Sequence, residues 1–249
     1  MQSLCTLSAS ELNSSLGRIE REYLPQETLM ELLLDKIENK ARICGVEEIH
    51  PPLAQWTGVK LYTDGRVHEI SWGVKGLIGE IDLQLVPESV TAIMLWENTL
   101  HGSLNLSCLP DGMKELYCSQ NAFTGTIDLI HLPSSMTGLS ASFNELSGSL
   151  NLQQLPRRLL TLYLNNNAFS GSISLINLPS TMTTLNLSMN DLSGKTNFEN
   201  LPTAMEYLNV SNTQLSGEIK VFSGESGQRG KRVCAEYSNI VVIKEKYTK

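Results

Sequence analysis

The chain has 249 residues, 41% hydrophobic and 6% aromatic, with a net charge of -7. That length suits one or two domains and that composition a globular protein. An acidic chain lacks the basic face that binding to phosphate backbones requires, so nucleic acid is not an expected partner. The acidic excess begins early, with 5 basic and 9 acidic side chains over residues 1–58, and is reversed over residues 218–249, which carry 7 and 4. The N-terminal stretch reads as helical. Ser8-Ala9-Ser10-Glu11 has the spacing of a capping box and predicts a helix to about Tyr23. Pro25 suits the first position of a second helix. Along it Leu29, Leu32, Leu33 and Ile37 fall at helical spacing on one face.

Further on the sequence becomes periodic. Val86-Pro87, Leu109-Pro110, Leu132-Pro133, Leu155-Pro156, Leu178-Pro179 and Leu201-Pro202 follow one another at intervals of 23 residues without insertion. Other columns keep the same step. One is apolar (Ile93, Leu116, Leu139, Leu162, Leu185, Leu208), and another stands two residues on (Leu95, Cys118, Ala141, Leu164, Leu187, Val210). An asparagine column follows at 98, 121, 144, 167 and 190, and a glycine column at 102, 125, 148, 171, 194 and 217. A degenerate earlier copy shows in Ile70, Trp72, Leu77, Gly79 and Ile81, giving about seven units.

The pattern L-x-x-L-x-L-x-x-N-x-L-x-G-x-I resembles the leucine-rich repeat, over residues 67–219. Its G-x-I half, as in Gly171-Ser172-Ile173, is similar to the plant-type subclass. Trp56-Thr57-Gly58-Val59 and Asp64-Gly65-Arg66-Val67 resemble the module that leads into such repeats, without its usual paired cysteines. The 23-residue unit, with Leu-Pro after a second apolar run, is similar to leucine-rich-repeat proteins of trypanosomatid-type protists. The resemblance implies a solenoid: a curved parallel β-sheet with an irregular convex side. One unit cannot bury its leucines alone, and stacking buries them. Alternation turns Leu162 and Leu164 inward and leaves Thr161, Tyr163 and Asn165 outward. The asparagine amides are expected to bond backbone groups of the neighbouring coil as a ladder. Open ends need covering. Residues 1–57 are therefore expected as a helical N-terminal cap and 58–217 as the repeat array. Residues 218–249 are expected as a capping hairpin and tail, with strands at 231–236 and 240–244 around Tyr237-Ser238-Asn239.

No catalytic constellation stands out, and no enzyme, cofactor or metal is expected. The histidines His50, His68, His101 and His131 form no metal-binding spacing. Cys118 occupies an inward leucine position, and the five cysteines make no close pair, which fits a reducing compartment. The stretch Gly224–Lys231 misses the phosphate-loop spacing by one residue. No stretch is long and apolar enough to span a membrane, and no secretory leader is visible, so the expected address is cytoplasmic or otherwise intracellular. On that expectation the sequons at Asn13, Asn105, Asn186 and Asn209 are coincidental.

The best candidate surface is the outward row of strand residues. It contains Met94, Tyr117, Ser140, Tyr163, Asn186 and Asn209, with Trp96, Ser119, Ser142, Asn165, Ser188 and Ser211 on one side. Glu115, Thr161, Thr184 and Tyr207 stand on the other. Few of these are charged, and aromatics with polar tips anchor many interfaces. The expected function is a non-enzymatic protein-binding scaffold that is monomeric outside any complex. It would use Met94, Trp96, Glu115, Tyr117, Tyr163, Asn165, Asn186, Tyr207 and Asn209 on the concave face. Two alternatives stand beside it: a structural subunit of a large intracellular assembly docked through its termini, and an extracellular or surface recognition protein.

Overall fold

A computed structural model describes residues 23–45, 51–223 and 232–246. The helix expected from Ser8 and the glycine-rich loop at Gly224 lie outside the described residues. In each repeat the first apolar pair makes a short strand: β2 (Val67–Ser71), β4 (Ala92–Met94), β6 (Glu115–Tyr117), β8 (Gly138–Ser140), β10 (Thr161–Tyr163), β12 (Thr184–Asn186) and β14 (Tyr207–Asn209). These stack side by side in parallel. With β1 (Val59–Leu61), antiparallel at one edge, and β16 (Arg232–Cys234) at the other, they make a sheet of nine strands among the described residues. Thr161 lies opposite Thr184 and Leu162 opposite Leu185, so side chains 23 residues apart stand on top of one another.

A second sheet forms where the sequence pattern suggested an irregular side. Its strands are β3 (Ile78–Glu80), β5 (Thr99–Ser103), β7 (Ala122–Gly125), β9 (Glu145–Gly148), β11 (Ala168–Gly171), β13 (Asp191–Lys195), β15 (Gln214–Ser223) and β17 (Asn239–Lys246). All pair in parallel. In every strand of this sheet but β17 the inward series runs through a glycine, as in Leu100, Gly102 and Leu104, and that gap hides the strand from a search for alternating apolar residues. The register also differs from the first sheet. Ser170 faces Asp191 and Thr124 faces Glu145, a step of 21 residues, so equivalent residues of successive coils are staggered.

Both sheets line one continuous core. Leu162 and Leu164 are fully buried, as are Leu100, Phe123, Leu146, Phe169, Leu192 and Leu215 from the second sheet. The asparagine ladder ties coil to coil. Asn121 donates to the carbonyls of Leu95 (2.9 Å) and Cys118 (3.2 Å) and accepts from the Leu100 amide at 3.0 Å. Asn190 repeats this with Leu164 (3.0 Å), Leu187 (3.0 Å) and the Phe169 amide (3.0 Å). At the last copy Thr213 substitutes: its hydroxyl donates to the Val210 carbonyl at 2.7 Å and accepts from the Leu215 amide at 3.5 Å, both within its own coil. The bend between the sheets needs a left-handed residue just before each asparagine, and Glu97, Gln120, Phe143, Asn166 and Met189 adopt φ of 54–56° there.

At the N-terminal end, α1 (Gln26–Leu33) begins after Pro25, and a short α2 (Ala41–Cys44) follows. Leu29, Met30, Leu33, Leu34 and Ile37 are buried and Leu32 only half so. The helix stops at Leu33, and Ile37 instead bridges to Gly79 of the first coil. Polar bonds fasten the same junction: Asn39 donates to the Gly76 carbonyl (2.7 Å) and accepts from the Ile78 amide (3.1 Å).

The expected C-terminal hairpin is absent. Its two strands exist as β16 and β17, but each joins a different sheet, in parallel with β14 and β15 respectively. They form one more coil. Its bend has the same spacing as the others, with Tyr237 in the left-handed region three residues beyond Cys234, just as Gln120 stands beyond Tyr117.

Candidate protein-binding face

Strands β4, β6, β10, β12 and β14 bury their middle residue and leave the flanking two half-exposed, as in Glu115, Leu116 and Tyr117. Met94, Glu115, Tyr117, Tyr163, Asn186, Tyr207 and Asn209 therefore share one open face, as alternation predicts. Asn165 does not join them. It is buried, and its side-chain carbonyl accepts from Ser142 Oγ at 2.7 Å. Ser142, Ser188 and Ser211 of the same row are buried too. The chain has already begun to bend there, with Asn166 left-handed, so the two-residue period of a strand no longer applies. Trp96 and Ser119 are the exceptions in that row and stay half-exposed.

Two of the aromatics are seated on glycines. A Cβ on Gly73 would lie 2.6 Å from Trp96 Cε2, and one on Gly138 would lie 2.7 Å from Tyr117 Oη. Each ring thus covers a neighbouring strand where no side chain competes, so it is held against the sheet rather than projecting freely. Burial pushes the Tyr117 hydroxyl above its ordinary titration range, and the charges of Glu115 and Tyr163 act in the same direction. The hydroxyl is consequently protonated at neutral pH. The C-terminal half of the face is occupied with itself. Asn209 donates to Tyr207 Oη (3.0 Å) and accepts from Ser211 Oγ (2.7 Å), while the Arg232 guanidinium lies 5.6 Å from the Tyr207 ring centre. Asn186 likewise accepts from Ser188 Oγ at 2.8 Å.

The structure adds a rim that sequence reasoning missed. Phe143 and Met189, both 51% exposed, stand at the left-handed bend beside the face. Their column is irregular in sequence (Val74, Glu97, Gln120, Phe143, Asn166, Met189, Asn212), so no periodic signal marks it.

Elsewhere polar groups pair without converging on a reaction centre. His131 contacts Asp128 at 2.5 Å and His101 stands 3.9 Å from Glu80, both on the surface. Tyr62 packs against His68 with ring centres 4.5 Å apart, and Thr91 Oγ1 lies 3.1 Å from His68 Nδ1. Cys118 is enclosed, and burial pushes its thiol up to about 12, which leaves it protonated and inert. Among the described residues no group of three or more His, Cys, Asp or Glu side chains is placed to hold a metal ion, and no helix is long and apolar enough to cross a membrane. A shallow depression of about 600 Å³ near Leu132, Ser135, Pro156 and Arg158 lies on the proline edge of the coils, away from the aromatic face.

The sequence matches no protein-family profile and no curated protein. Solved structures do match. One is a plant ice-binding protein, 19% identical over 86% of this chain and 71% of that one, with a TM-score of 0.62. Another is a pollen receptor kinase 3, 20% identical over 86% of this chain and 95% of that one, at 0.53. A third, in a PEPR1–AtPEP1 complex, is 16% identical at 0.51, over 89% of this chain and 41% of that one. The likeness is one of architecture: the fold is a leucine-rich-repeat solenoid with parallel sheets and few helices.

Proposed function

We propose that the open face of the first sheet binds a protein partner, and that the chain is a recognition module rather than an enzyme. The observation that carries this reading is the seating of Trp96 on Gly73 and of Tyr117 on Gly138. Rings held in place by the sheet lose little entropy on binding and offer large apolar area with a polar tip, which is what interface anchors require. Tyr163 and Met94 extend the apolar area, Glu115 supplies charge, and Asn186, Tyr207 and Asn209 continue the face as a polar margin. The likeness to a pollen receptor kinase supports the same reading. Replacing Trp96 and Tyr163 together by alanine should weaken capture of the partner recovered by native pull-down on the order of 100-fold, at about 2 kcal/mol or more from anchor residues. The far-ultraviolet circular dichroism should not change. Undiminished capture by the folded double variant refutes the face.

The ice-binding neighbour directs attention to the second sheet, which carries Thr124, Ser147, Ser170 and Ser193. Its stagger sets Glu145 opposite Thr124 and Asp191 opposite Ser170. A crystal lattice is matched by an unbroken periodic surface, and carboxylates interleaved with the hydroxyls break it, so the first sheet carries the proposal.

The neighbours favour an extracellular or surface address over the intracellular one expected from sequence, and one local feature agrees with them. Asn105 is exposed within Asn105-Leu106-Ser107, and its side-chain carbonyl accepts from Ser107 N (3.1 Å) and Ser107 Oγ (2.8 Å). The sequon therefore lies in a turn at the surface, where a glycan is accommodated without disturbing the first sheet. Mass spectrometry of native material before and after peptide-N-glycosidase should show glycan on Asn105. An unmodified Asn105 throughout counts against this address.

A further inference from the structure

Gly138 is buried beneath two hydroxyl-bearing side chains of the binding face. It lies directly between Glu115 on β6 and Thr161 on β10, with both in register across it. A Cβ there would stand 2.7 Å from Tyr117 Oη and 3.3 Å from Thr161 Oγ1. A hydroxyl from each of two side chains therefore meets over the glycine, with Glu115 in register on the preceding strand and Tyr163 two residues beyond Thr161 on the following one.

The charges of the face make Glu115 distinctive. The charged strand residues that point to it are Lys60, Glu69, Glu115 and Arg232. Glu69 is paired with Lys60 at 2.9 Å, and Arg232 is stacked on Tyr207. Among the described residues no ion pair reaches Glu115. A half-buried carboxylate without a counter-ion, bordered by oxygen acceptors and tyrosine rings, complements a cation that is both a hydrogen-bond donor and a flat stacking group. A guanidinium combines these properties, with five N–H donors and a plane that packs on aromatic faces.

We infer that the surface formed by Glu115 and by the Tyr117 and Thr161 hydroxyls that cover Gly138 receives an arginine side chain from an extended segment of the partner protein. The guanidinium pairs with the Glu115 carboxylate, donates to Thr161 Oγ1 and Tyr117 Oη, and packs against Tyr163. Trp96 and Met94 hold an apolar residue of the same segment. This rests on the reading of the first sheet as the binding face and names what that face selects.

The probe is a blocked alanine–arginine–alanine tripeptide, titrated into the isotope-labelled full chain and followed by amide chemical shifts. Its counterpart carries citrulline, which keeps the shape and loses the charge. The arginine peptide should shift the amides of Glu115, Gly138 and Thr161 saturably, and the citrulline peptide should bind about tenfold more weakly. Glu115→Gln should weaken arginine binding by about the same factor, the size expected when a charged hydrogen bond becomes neutral. Gly138→Ala, which takes the space Tyr117 occupies, should do likewise. Equal binding of the two peptides, or full affinity in Glu115→Gln, overturns the arginine assignment. Partner capture separates the two levels of the claim. If Glu115→Gln captures the partner like the wild type while the Trp96/Tyr163 double variant loses it, the arginine assignment is refuted and the aromatic face stands. If the double variant retains capture, both fall.

Discussion

Replacing Asn144 by alanine should destabilise the protein by about 3 kcal/mol, although it removes only a small polar side chain. Asn144 accepts from the Phe123 amide at 3.0 Å and donates to the carbonyls of Cys118 (3.1 Å) and Ala141 (3.2 Å). The two carbonyls retain other donors, Asn121 Nδ2 and Asn167 Nδ2 respectively, so their loss is roughly that of an ordinary hydrogen bond each. The Phe123 amide has no such reserve. It would be left unpaired beside a fully buried ring, at a cost of about 1–3 kcal/mol by itself. For a chain of this size the sum corresponds to a fall in Tm of roughly 6–12 °C. Asn144→Asp tests the donor half separately: it keeps the acceptor for Phe123 but sets a carboxylate against two carbonyls, so it should not restore stability. Calorimetric unfolding of the three proteins decides the matter, and an unchanged Tm in Asn144→Ala would mean that the ladder carries no stability.

The ladder was readable from sequence because it follows from strict spacing, and so was the open face. Wherever the chain is a strand, alternation alone places Tyr117, Tyr163, Asn186 and Asn209 correctly. The same rule failed one step later, at Asn165, because the left-handed residue after it ends the alternation and turns the side chain against Ser142 of the preceding coil. The face also owes its shape to relations between coils that a single repeat does not encode. That Tyr117 lies over Gly138 depends on the neighbouring strand having glycine where the others have a side chain (Glu69, Ala92, Glu115, Thr161, Thr184, Tyr207), and nothing local to Tyr117 announces it. The C-terminal error has a different origin. The strands around Tyr237 were found, but the asparagine and glycine columns that identify a coil are missing there, and two nearby strands without those columns look like a hairpin. The five-residue step from Cys234 to Asn239 equals that from Tyr117 to Ala122, and this was the available signal.

Gly79 and Gly125 belong to one sequence column, have left-handed backbones, and should nevertheless respond very differently to alanine. At Gly125 (φ +81°) an added Cβ meets nothing within 4 Å, so Gly125→Ala should cost only the left-handed strain of about 1–2 kcal/mol. At Gly79 (φ +119°) the same atom would come within 2.1 Å of the Lys36 carbonyl oxygen and 3.1 Å of Ile37 Cα. Both are backbone, and neither can rotate aside. The segment after α1 must therefore lift off the first coil, breaking the bonds from Glu38 N to Ile78 O (2.9 Å) and from Glu80 N to Lys36 O (3.2 Å). Adding about 1 kcal/mol for each bond to the same strain gives about 3–4 kcal/mol for Gly79→Ala. The loss should be local as well as larger. Hydrogen exchange should lose protection at the Glu38 and Glu80 amides in Gly79→Ala and keep it there in Gly125→Ala, because only the first variant parts the helical segment from the fully buried Leu77. Equal destabilisation of the two variants would show that the helical segment does not rest on Gly79, and that both glycines answer only to the turn they make.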